Sequence, residues 1–101
     1  TCQMEPDAVG LNHFKVDSWI KRAQFMWRSG DRGSCEEALQ ATLSATQEWI
    51  SGGRIHGLDL IDLRCNLEWV VEFTRDNSDT PKWKDMTNRF QDQLSRIREW
   101  S

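Results

Sequence analysis

This sequence of 101 residues predicts an all-α fold, a single four-helix domain arranged as an antiparallel bundle. Three observations carry that expectation. Apolar residues recur at spacings of three and four through most of the chain, which is the period of one helix face. No segment sustains the period-two alternation of a half-buried strand. Glycines and turn-forming clusters fall between the helical patterns, leaving connections short enough to join antiparallel neighbours.

Residues 1–10 show no periodicity and contain Pro6 and Gly10, so they read as a flexible, irregular tail ahead of a helical domain over 11–101. The first helix is expected over about 12–29, with Asn12 as its N-cap and Gly30 as its stop. Val16, Trp19, Ile20, Ala23, Met26 and Trp27 form its apolar face, and Asp17 with Lys21 makes a supporting i,i+4 pair. The second helix is expected over 35–51. Ser34 and Glu37 have capping-box spacing, and Cys35, Ala38, Leu39, Thr42, Leu43, Thr46, Trp49 and Ile50 line its inner side.

Gly52 and Gly53 end that helix, and a third follows over 58–74. The cluster 76–80 is a turn, and Thr80-Pro81 gives an N-cap followed by proline at the first helical position. The fourth helix is expected over 81–100, on a narrow stripe of Trp83, Met86, Phe90, Leu94 and Ile97. Residues 83–100 have a passing likeness to the last helix of spectrin-type repeats. The preceding helices are too short for that three-helix unit, so no family is assigned.

The third helix departs from a simple bundle pattern. At about 100° per residue, Leu60, Leu63, Leu67, Val70 and Val71 share one face, while Ile61, Cys65, Trp69 and Phe73 step by four around the far side. Asp59, Asp62, Asn66, Glu68 and Glu72 fill the gaps. A second stripe needs a destination. Either neighbouring helices cover both stripes, or the second is a surface for a partner or another copy of the chain, centred on Trp69 and Phe73. On the first helix Phe14 and Phe25 project opposite the core face beside Ser18, Lys21 and Arg22, and Trp100 lies slightly off the stripe of the fourth helix.

Six tryptophans with no tyrosine, and nine arginines among thirteen basic residues, favour binding surfaces, since Trp and Arg are enriched at interaction hot spots. The net charge of −3 is uneven: residues 11–33 carry +3, residues 34–80 carry −6 and residues 81–101 carry +2. No phosphate-binding glycine loop, nucleophile motif or metal-ligand spacing is present, so the expectation is a protein that is not an enzyme and takes no cofactor or metal. The expected function is a helical protein–protein interaction module, engaging a protein partner or forming a homodimer through Ile61, Cys65, Trp69, Phe73, Phe14, Phe25 and Trp100. The alternative is binding of RNA or another anionic surface through Lys15, Lys21, Arg22, Arg28, Arg32, Arg89 and Arg96, with the first and fourth helices merging into one basic face. Against it stands a pI near 5.3. Cys2, Cys35 and Cys65 form neither a disulfide framework nor a zinc pattern. Free thiols are expected, in a reducing intracellular compartment, cytoplasmic or nuclear; a Cys35–Cys65 bridge is the alternative for a secreted protein. No apolar run approaches the length of a membrane span.

Overall fold

A computed structural model describes the backbone of residues 4–100 and the side chains of residues 12–100. The fold is all-α: α1 (Met4–Arg28), α2 (Arg32–Ser51), α3 (Gly57–Asp76) and α4 (Pro81–Arg98), with no strand among the described residues. The chain divides into two compact units, Thr1–Trp49 and Ile50–Ser101.

In the first unit α1 is longer than its periodicity suggests, because residues 4–10, expected in the tail, are helical. Pro6 falls in the first turn, where its missing N–H has no intrahelical bond to lose, and Gly10 inside a helix costs only about 1 kcal/mol relative to alanine. Residues 1–3, including Cys2, lie outside the described residues. Val16, Ile20 and Ala23 are buried, with Trp19, Met26 and Trp27 half-buried beside them, as the stripe predicted.

The connection from α1 to α2 is built by one glycine and one aspartate. Gly30 takes φ +83°, a left-handed conformation that side chains disfavour. Its N–H donates to Trp27 O at 3.1 Å and that of Asp31 to Met26 O at 2.9 Å, the paired bonds that close a helix C-terminus. Asp31 then caps α2, accepting from the Ser34 N–H at 3.0 Å and the Ser34 hydroxyl at 2.7 Å. The Ser34–Glu37 capping box is thus displaced by three residues, a carboxylate at a helix N-terminus being favoured by the backbone dipole as well as by its bonds.

The Ser34 N–H, with its hydroxyl second, holds the Asp31 carboxyl below its ordinary value. A lowered folded-state pKa gives stability that is present above the unfolded value and lost as pH falls through the folded one. Asp31→Ala is therefore expected to be less stable than wild type at pH 7, with the difference shrinking in acid below the ordinary aspartate range. Asp31→Asn, which keeps a neutral cap, should recover part of the loss. Chemical denaturation at neutral and acid pH checks both; a difference independent of pH would mean that the charge of Asp31 contributes nothing.

On α2 all eight residues of the expected inner face are buried, Cys35, Leu39, Thr42 and Thr46 completely. The Thr42 hydroxyl donates to Ala38 O at 2.8 Å and that of Thr46 to Leu43 O at 3.0 Å, so both threonines enter the interior satisfied. His13 of α1 meets the Trp49 ring edge-on at 6.3 Å, and the Arg32 guanidinium lies 5.8 Å from the centre of the Trp27 ring. The two helices of this unit contact each other heavily.

In the second unit, Ile55 is buried within the connection 52–56, α3 packs on α4, and Leu60, Leu63, Leu67, Val70, Val71 and Thr74 of α3 are buried. The Thr74 hydroxyl returns to Val70 O at 2.9 Å. α4 opens as its sequence predicts: the Thr80 side chain accepts from the Trp83 N–H at 3.3 Å, and Pro81 occupies the first turn. Trp83, Met86, Phe90, Leu94 and Ile97 are buried together with Gln93.

Candidate protein-interaction surface

The inner stripe of α3 uses the apolar surface that a hairpin helix must bury, and the second stripe stays outside. Ile61 is 48% exposed and Cys65 is exposed, while Trp69 and Phe73 are half-buried. Trp69 and Phe73 stack with ring centres 5.0 Å apart and planes 10° from parallel. Phe73 also meets Trp83 of α4 at 5.9 Å. The C-terminal end of the stripe is therefore a fixed aromatic pair braced on a buried tryptophan, and its N-terminal end is open aliphatic surface.

Leu58 belongs to this stripe and escaped the sequence reading. It is 78% exposed and precedes Ile61 by three residues and Cys65 by seven, so the spacing was there to find. Asp62, Glu68 and Glu72 lie among the apolar residues on the same exposed face. Glu68 accepts from Arg98 of α4 at 3.4 Å, both side chains about half exposed, a surface pair of the kind that holds weakly and exchanges partners. Behind it an open groove of about 300 Å³ between α3 and α4 is lined by Glu68, Val71, Glu72, Arg75, Gln91, Leu94 and Arg98.

The α1 candidates divide by position. Phe14 and Phe25 are 65% and 62% exposed, and Lys15, Ser18, Lys21, Arg22 and Arg28 are exposed around them. Lys21 pairs with Asp17 at 3.1 Å. Arg32 is half-buried over Trp27 rather than presented outward. On α4, Arg89 pairs with Asp85 at 2.8 Å, and Arg96 is exposed. Trp100 is half-buried, its carbonyl accepting from the Arg54 guanidinium at 3.0 Å. The basic residues of α1 and those of α4 belong to different compact units.

Cys35 and Cys65 are both free thiols in opposite environments. Burial pushes the Cys35 thiol up to about 11, against the smaller opposing influence of Arg32. Since the thiolate is the reactive form, native protein is expected to alkylate at Cys65 while Cys35 stays protected until denaturant is added. Peptide mass mapping after a brief iodoacetamide pulse reads this directly; equal labelling of the two would show that Cys35 is not sealed in the core.

No group of three or more His, Cys, Asp or Glu among the described residues could hold a metal ion. No helix among them is long and apolar enough to cross a membrane. Neither a known protein family, nor a curated protein, nor a solved structure matches the chain.

Proposed function

We propose that this chain is a non-catalytic protein-interaction module whose docking surface is the outer face of α3. The observation that carries this reading is the exposed line from Leu58 through Ile61 and Cys65 to the stacked Trp69 and Phe73. Fully burying an exposed leucine contributes about 1.5–3 kcal/mol, the half-exposed Ile61 proportionately less, and an aromatic pair already held in place gives up little side-chain freedom on binding. A helical partner fits such a face, which offers anchors at helical spacing flanked by charge.

The test is capture of proteins from the parent cell on immobilised wild-type chain and on Leu58→Asp/Ile61→Asp chain, with circular dichroism to confirm that both are folded. Proteins held by wild type and lost from the variant support the reading. A captured set indifferent to the substitutions overturns it. The alternative reading, binding of RNA or another polyanion, rests on the exposed Phe14 and Phe25 among the bases of α1. It requires affinity that falls steeply with salt and is lost in Lys21→Glu/Arg22→Glu.

A further inference from the structure

The outer faces of α1 and α3 are complementary to each other. Over residues 14–25, an arc of about 120° centred on Ser18 presents Phe14, Lys15, Ser18, Lys21, Arg22 and Phe25, all exposed, with no acidic residue. Over residues 58–69 the matching arc centred on Cys65 presents Leu58, Ile61, Asp62, Cys65, Glu68 and Trp69, five exposed and Trp69 half-buried, with no basic residue. The end anchors Phe14 and Phe25, and Leu58 and Trp69, are eleven residues apart in both helices, or about 16 Å at the rise of an α-helix. At the centre of each face sits a small side chain, Ser18 or Cys65, which permits close approach.

Charge selects the pairing. Lys15 and Lys21 project to opposite flanks of the α1 face, and Asp62 and Glu68 to opposite flanks of the α3 face. An α1 face against an α3 face brings acid to base along both flanks, whichever way the helices run. Two α3 faces together would set acid against acid, and two α1 faces base against base, the like-charge juxtaposition that excludes wrong partners. We infer that the α3 surface docks the basic aromatic face of α1 from a second copy of this chain. The inference rests on the reading of α3 as a docking surface and names its occupant. Because each copy carries one face of each kind, the contact is heterologous: it extends head to tail, or closes where two copies can engage reciprocally.

The experiment is sedimentation equilibrium of the wild-type chain over roughly a hundredfold range of micromolar concentration, alongside Lys21→Glu/Arg22→Glu and Asp62→Lys/Glu68→Lys. Wild type is expected to self-associate, and each variant alone to associate at least ~10-fold more weakly. An equimolar mixture of the two variants is expected to recover association, since the unaltered α1 face of one variant can meet the unaltered α3 face of the other. Reversing Glu68 also breaks its contact with Arg98, so circular dichroism of each variant confirms that it is folded before its association is compared. Monomeric wild type throughout the range overturns the inference while leaving the α3 docking surface to the capture experiment. Association that survives both reversals but is lost in Ile61→Asp keeps the surface and rejects α1 as its occupant. Association indifferent to all three rejects both. A monomer that binds an RNA oligomer, and loses it in Lys21→Glu/Arg22→Glu, assigns the α1 face to a polyanion instead.

Discussion

Trp83→Ala is expected to destabilise the protein by about 3–5 kcal/mol, the usual cost of truncating a fully buried aromatic residue. Trp83 is 1% exposed and is the largest of the fully buried side chains. Its ring supports Phe73, which in turn stacks on Trp69, so the cavity opens beneath the aromatic end of the α3 face. Against a total stability of roughly 5–15 kcal/mol for a domain, such a loss brings the chain near its unfolding threshold. Urea unfolding followed by circular dichroism measures it, with Phe25→Ala as comparison. Phe25 is exposed and should shift stability by no more than about 0.5 kcal/mol. Equal effects at the two positions would contradict the packing described for Trp83.

Leu39→Ala is the corresponding lesion in the first unit. Leu39 is fully buried on α2, one turn beyond Cys35, and its truncation should cost about 2–5 kcal/mol. Cys35 supplies a local readout, because its thiol labels only when the helix opens. If opening equilibrates faster than labelling, the Cys35 rate should rise about thirtyfold or more, while labelling of the exposed Cys65 stays unchanged. A Cys35 rate that does not move would mean that Leu39 and Cys35 are not secured by the same packing.

Most of the architecture was legible because a helix that buries one side writes that side into the sequence at spacings of three and four. The inner faces of α2, α3 and α4 were readable residue by residue, and Thr80-Pro81 marked its helix start unambiguously. Two local signals misled. Pro6 and Gly10 read as helix breakers, yet proline in a first turn and a single internal glycine are tolerated. Ser34 and Glu37 fit a capping box, yet Asp31 lies three residues ahead of Ser34 and supplies a charged cap. Spacing rules describe each motif alone and do not rank two that overlap.

The candidate surface was half legible. Periodicity disclosed a second apolar line on α3 but not its exposure, since the same leucines and isoleucines serve a core or an interface. Phe73 projects to the margin of that line, where Trp83 of α4 reaches it, a contact no single-helix projection contains. Leu58 was passed over because it stands at a helix start, where side chains are usually read as boundary rather than face. Arg32 was grouped with outward-facing bases, although α1 brings Trp27 beneath it.

The linkage of α1 to α2 leaves little room for insertion. Asp31 ends one helix with its backbone N–H and begins the next with its carboxylate. An extra glycine placed after Gly30 would separate those two duties, and the hairpin would lose its stop or its start. Gly52 and Gly53 are exposed, by contrast, and the first fixed points beyond them are the Arg54 guanidinium and buried Ile55. Length variation among natural versions of this chain should therefore collect at positions 52–53 and be absent from 29–31, and a pair of single-glycine insertions compared by thermal melting would show the same asymmetry.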